Sequence, residues 1–320
     1  MHEFELIQQI QQESSVSGEG VKLGIGDDAA MVEIPRGHYL VAATDTLNAG
    51  RHFPDDAEAF DIGHKSLAVN LSDLAAMGAA PRWALLSLSL PEPDSKWVRS
   101  FIAGFRSLAQ IHNVALIGGD TTRGPLSINV SALGVVATGK SLLRSNAQVG
   151  DLIVVSGTIG GAARVLELLQ AGTSVRDREL LDRPQPRVRL GQALTGYANA
   201  CIDLSDGLLA DLGHILQASD CGAQIDVSTL PVPKELQGLE DSERWNYQLA
   251  GGDDYELLFT LPAKSKGMLQ KWREQLNLDL TVIGQITEGQ GIECLTADGD
   301  VFTPSRQGFE HFASEPGHDR

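Results

Sequence analysis

Cysteine is scarce in this chain, and its few cysteines are not arranged to act together. Cys201, Cys221 and Cys294 are odd in number and none belongs to a C-x-x-C pair, which excludes a disulfide framework and a thiolate zinc site. Aromatic residues are few, at 5%, so a broad aromatic binding surface is excluded too. Basic residues are outnumbered, 25 Lys and Arg against 42 Asp and Glu, for a formal net charge of -17. A surface of that sign repels nucleic acid and anionic membrane, and neither is expected as a partner. No apolar run reaches the length of a membrane span. The opening MHEFELIQQIQQES lacks the apolar core of a signal peptide, so a cytoplasmic protein is expected. A Gly-Lys-Ser/Thr phosphate loop is also missing. The nearest segment, SGTIGGAA at 156–163, runs from strand to helix through Gly160-Gly161-Ala162 and reads as a structural turn.

What is present is enough for a proper core: 320 residues, 42% of them apolar, about two domains' worth of chain. Strands at 39–43, 83–90, 114–117 and 128–137, with helices at 65–81 and 97–111, make a mixed α/β half that ends near residue 140. A second α/β half begins with the Arg144-Ser145-Asn146-Ala147 segment, giving expected domains of 1–140 and 141–320. Pro184 and Pro186, with Arg183 and Arg187, form a rigid basic connection inside it. Asp298-Gly299 reads as a hairpin turn.

The helix at 65–81, KSLAVNLSDLAAMGAAP, is central. Leu67, Leu71 and Leu74 form one apolar stripe, and Ala68, Ala75, Ala76 and Ala79 permit close packing. Asp73 lies on a different face with Asn70 and Met77. Two readings fit it: a solvated residue, or a cation ligand facing a polar site. A device recurs along the chain, in which an apolar strand gives way to Gly or Thr and then Asp, at Asp28, Asp45, Asp120, Asp203 and Asp253. Near Asp203, Ser205 or Asp206 can cap the following helix, but one cap does not account for all three. If the acids converge they need cations. Two carboxylates about 4 Å apart repel by about 4 kcal/mol at an effective dielectric of about 20. Asp and Thr oxygens suit Mg²⁺ beside phosphate groups.

The motifs GIGDDAA, TDTLNAGRHF, KSLAVNLSDLAAMGAAP, IGGDTTRGPL, IDLSDGLLADLGH and GGDDYEL stand in this order from about residue 20 onward. Together they closely resemble the thiamine-monophosphate kinase family, within the superfamily of aminoimidazole ribonucleotide synthetase. The resemblance implies a two-domain α/β (α+β) architecture and a homodimer whose N-terminal sheets pair. It implies a phosphotransferase that phosphorylates thiamine monophosphate with ATP, assisted by several Mg²⁺ ions, without a covalent nucleophile or base. Carried across, its metal positions fall on Asp28, Thr44, Asp45, Asp73, Asp120, Asp203 and Asp206. Its ATP contacts fall on Gly119, Asp120, Arg144 and Ser205, and its substrate contacts on His52, Asp253 and Phe309. Many members carry Glu where this chain has Asp253. Among the rivals, selenophosphate synthetase would want a reactive N-terminal Cys, and none precedes Cys201. The hydrogenase maturation enzyme would want a C-terminal Cys, and this chain ends His-Asp-Arg. A non-catalytic acidic metal or nucleotide binder is the rival from another class.

Overall fold

The computed structural model describes residues 9–12 and 18–305. A short β1 (Val21–Leu23) and β2 (Met31–Val32) pair with each other. They are followed by β3 (His38–Asn48), α1 (Ala59–Ala76), β4 (Ala80–Leu90), α2 (Ser95–His112), β5 (Ala115–Arg123) and β6 (Ser127–Ala137). β3, β6, β4 and β5 form a four-stranded sheet in that spatial order. Its only parallel pair among these is β4 with β5, joined by α2 as a crossover.

The remaining strands build a six-stranded sheet. The elements are β7 (Leu152–Ser156), α3 (Gly161–Gln170), α4 (Glu179–Asp182), α5 (Val188–Leu194), β8 (Ala200–Asp203), α6 (Leu208–Ser219) and β9 (Gly222–Asp226). Then come α7 (Asp241–Ala250), β10 (Leu257–Leu261), α8 (Gly267–Leu276), β11 (Leu280–Thr287) and β12 (Gly291–Leu295). The spatial order is β12-β9-β11-β7-β10-β8. β7 and β10 lie inside the sheet, and both are almost wholly buried and apolar.

α1 is the helix around which the two sheets are arranged. It packs on α2 and the inner face of the four-stranded sheet, and also touches α5 and β8. A helix with neighbours on so many sides is buried nearly all round, so Leu67, Leu71 and Leu74 are inaccessible and even Lys65, Ser66 and Asn70 are buried. Close contact with α2 depends on two glycines. A Cβ on Gly63 would lie 2.0 Å from Phe101 O, and one on Gly104 would lie 1.8 Å from Phe60 O. α5 approaches in the same way, since a Cβ on Gly191 would lie 2.0 Å from the carbonyl oxygen of Ala75. Of the alanines of the 65–81 stretch, Ala75 is the one at these approaches, and the other two contacts are made by glycines outside it.

The basic connection is tied down at both ends. Arg183 pairs with Asp61 of α1 and stacks over Phe60, 5.0 Å from the ring centre. Arg187 forms a two-pronged pair with Glu256, which is buried. Between them Pro184 O accepts a hydrogen bond from His64 Nε2–H at 3.1 Å. Burial holds His64 below its ordinary pKa of 6.5, against the backbone contact to Pro184; Arg183 also lowers it, while Asp61 and Glu179 raise it. His112 is held low by burial and by His64. The unfolded chain therefore binds more protons than the folded one near pH 6, so this contribution is present above about 6.5 and lost as pH falls through the lower folded value. Replacing His64 by Gln should flatten the loss of melting temperature between about pH 7.5 and about pH 5.5. Parallel losses in the two proteins would contradict it.

Candidate active site

A cleft of about 600 Å³ opens where α1, β3 and the loops after β8 and before β10 meet. α1 contributes Lys65, Val69 and Asp73 to its wall, spaced four residues apart and so on one helical face. β3 contributes Thr44 to Asn48, β8 ends in Asp203, and Ser205, Asp206 and Asp253 come from the two loops. A larger cavity, about 730 Å³, lies between α6 and β12 and is lined by Leu209, Leu216, Ile292 and Phe302 among others. It shares no residue with the cleft, and Asp45, Asp73, Asp203, Asp206 and Asp253 line the smaller space.

Three of the acids converge there. Burial first, then the charges of Asp203 and Asp45, push Asp73 up to about 8, while Arg144 opposes the shift. Burial pushes Asp203 up to about 6, and it raises Asp45 against a hydrogen bond from Asp73. Without a cation, this cluster retains protons that isolated aspartates would release. Asp73 is half-buried on the cleft wall. Among the described residues, no group of three or more His, Cys, Asp or Glu side chains forms a ready-made metal cage. Thr44 lines the cleft, but its hydroxyl donates to Val130 O at 3.2 Å and lies 3.0 Å from Ser131 Oγ.

Two loops hold the site from behind. The Asp211 carboxylate accepts the backbone N–H groups of Ser205, Asp206 and Gly207, each at 3.1 Å. Asp211 is pushed up to about 7, mainly by burial and then by Asp203. So neither Ser205 nor Asp206 caps α6: its N-cap is Gly207, and no side chain caps there. Asp211 reaches back instead, leaving Ser205 and Asp206 turned to the cleft. The loop before β10 is pinned by Asp253 N–H to Ser205 O at 2.9 Å and Tyr255 N–H to Leu204 O at 2.8 Å. Its half-buried Asp254 accepts the Gly160 N–H with both oxygens, at 3.0 and 2.8 Å. The glycine turn at 156–163 thus has its helix N-terminus occupied by a carboxylate of the chain itself, in keeping with a structural turn.

Not every expected residue joins the cluster. Asp45 and Asp120 lie inside strands rather than past their ends, because β3 and β5 continue through Asn48 and Arg123 as paired ladders. Asp120 is three strand spacings from β3, about 14 Å, in a separate cavity with Gly119 and with Ile25 of the GIGDDAA turn. Gly119 has a packing role there, since a Cβ would lie 1.8 Å from Leu86 O. Asp28 is exposed in that turn. Arg144 lines the space behind Asp73 and Asp203. The ring of His52 accepts the Asn48 N–H at 3.0 Å, which fixes its orientation on the cleft wall. Phe309 lies outside the described residues. Sequence reasoning missed Lys65, Tyr255 and Asp211. The spacing of Lys65, Val69 and Asp73 could have flagged Lys65; Asp211 showed no signal beyond its place in the IDLSDGLLADLGH motif.

Residues 26–136 match the family described as AIR synthase related protein, N-terminal domain, and residues 148–295 match its C-terminal domain. The thiamine-monophosphate kinase of Escherichia coli (strain K12) is 45% identical, over 98% of this chain and 98% of that protein. The crystal structure of the thiamine-monophosphate kinase from Stenotrophomonas maltophilia K279a is similar at a TM-score of 0.86 and 48% identity, covering 94% of this chain and 98% of that one. A structure described as AaThiL complexed with AMPPCP and TMP is similar at a TM-score of 0.75 and 32% identity, covering 97% of each chain. On these matches, which span both sheets and the cleft between them, the chain belongs to the thiamine-monophosphate kinase family.

Proposed function

We propose that this chain transfers the γ-phosphoryl group of ATP to the phosphate of thiamine monophosphate, giving thiamine diphosphate and ADP. The observation that carries the reading is the convergence of Asp45, Asp73 and Asp203 in one cleft of a chain with this family membership. The relative solved with AMPPCP and TMP supports the choice of the two substrates.

The donor set fits Mg²⁺. Carboxylates held up by burial and by one another have negative charge to offset, and Mg²⁺ typically takes only one or two carboxylates along with phosphate oxygens and water. Asp45, Asp73 and Asp203 are the proposed holders, with Asp206 and Thr44 at the margins of the cleft; Asp120, about 14 Å from β3, and the exposed Asp28 lie outside it and are assigned to no ion of this cleft. When bound, the ions supply charge neutralisation on donor and acceptor and keep the two in line.

The chain's own groups then have limited tasks. An acceptor phosphate oxygen is already ionised near neutral pH, so no protein base is required. It attacks the γ-phosphorus, the bond from that phosphorus to the bridging β–γ oxygen breaks, and ADP departs with the electron pair. Arg144 is assigned a phosphate contact, with Ser205 and Gly119 as further nucleotide contacts. His52, Asp253 and Phe309 are assigned to the acceptor. We assign 1–140 to a nucleotide-binding and dimerisation domain and 141–320 to the C-terminal domain, in a cytoplasmic homodimer. The outer sheet face, with Leu40 and Leu85 exposed beside Thr44 and Ser87, supports pairing of two such sheets. A rapid acid quench with γ-labelled ATP should leave no label on the protein, and EDTA should stop turnover. Labelled protein formed at the rate of turnover would overturn direct transfer, and full activity in EDTA would overturn the metal role.

A further inference from the structure

We infer that Lys65 and Tyr255 form a clamp on the Asp253 carboxylate, and that the clamped carboxylate sets how tightly the acceptor is held. The inference rests on the proposed contact between Asp253 and the acceptor. Lys65 Nζ lies 3.2 Å from Asp253 Oδ2, and the Tyr255 hydroxyl donates to Oδ1 at 2.9 Å. Both oxygens are therefore held, from two different elements. The Lys65 side chain is 3% exposed and that of Asp253 29% exposed, so the cation is hidden and the carboxylate faces the cleft.

Burying an ammonium without a partner is costly. Lys65 projects from α1 and is ion-paired with Asp253. The loop that brings Asp253 there is itself unusual. Asp253 and Tyr255 both have left-handed backbone, with φ of 68° and 51°. Such residues persist where the surroundings over-determine them, and they cluster at ligand clamps. Here the surroundings are the two backbone bonds to Leu204 and Ser205 and the pinned Asp254. Because Asp is shorter than Glu, where its carboxylate points is set by this backbone and by the clamp. The clamp also compensates the charge of Asp253 in a cleft already crowded with acids, which matters for an acceptor that carries both a cationic ring and an anionic phosphate. Lys65 and Tyr255 are positioning residues on this account.

The test is initial-rate kinetics on Asp253→Asn, Tyr255→Phe, Lys65→Met and Lys65→Arg, with melting temperatures. Loss of one hydrogen bond to a carboxylate predicts a rise in the acceptor KM of about 10-fold for Tyr255→Phe. Loss of the charged partner predicts at least about 10-fold for Lys65→Met, with part of the loss restored in Lys65→Arg. The KM for ATP should stay within about 2-fold throughout. Tyr255→Phe removes a single hydroxyl and keeps the inference testable if Lys65→Met fails to fold. An unchanged acceptor KM in Asp253→Asn would remove the contact on which the inference rests. A raised KM in Asp253→Asn with none in Tyr255→Phe, or equal rises for ATP and acceptor, would overturn the clamp alone.

Discussion

Replacing Asp73 by asparagine is expected to lower kcat by on the order of 10³-fold or more, with the fold intact. Asn keeps the shape of the side chain and removes a charge that two neighbouring carboxylates oppose. The melting temperature of the metal-free variant should therefore not fall. The loss should appear in kcat rather than in the KM for either substrate, because a group that offsets charge developing during transfer acts on the transition state. Steady-state rates and circular dichroism melts on the two proteins check both parts. Turnover within tenfold of the parent would return Asp73 to the role of a solvated helix residue.

The second large effect is on stability. Glu256→Gln is expected to cost about 3 kcal/mol, toward the lower end of the range for removing one partner of a buried ion pair. Glu256 is 5% exposed and receives two bonds from Arg187, while Ser156 Oγ donates to it as well. Arg187 keeps 25% of its side-chain surface, so water recovers part of its solvation in the variant. The pair joins the start of α5 to the start of β10, and α5 in turn packs on α1. Denaturant unfolding measures the cost. A change under about 0.5 kcal/mol, the size of an ordinary surface substitution, would mean that the pair does not hold the connection.

Much of this was legible in the sequence because it follows from local chemistry. The apolar stripe of Leu67, Leu71 and Leu74 is on the buried side of α1. The Asp298-Gly299 turn is a hairpin, with Thr296 N–H bonded to Asp300 O and Gly299 at φ 85°. The motif order pointed to the family before any geometry was known. What sequence reasoning misread depends on pairing between distant segments. Strand 39–43 extends to Asn48 because β6 offers a matching ladder through Ser127, and no local signal reports that. Gly63 and Gly104 look like weak points in two helices until the helices are seen to cross there. Lys65 reads as a solvated charge until tertiary packing buries it against Asp253, 188 residues later. Asp211 is an ordinary helix acid in sequence. Only the turn of chain above it makes it the acceptor for three backbone N–H groups.

The central claim is that the carboxylate cleft carries out phosphoryl transfer from ATP to a phosphate acceptor. Its most direct test is chromatography of the products after the purified protein is incubated with ATP, Mg²⁺ and thiamine monophosphate. The account predicts thiamine diphosphate and ADP in equal amounts, with neither formed in Asp73→Asn. ADP without thiamine diphosphate, or no nucleotide turnover at all, would contradict it.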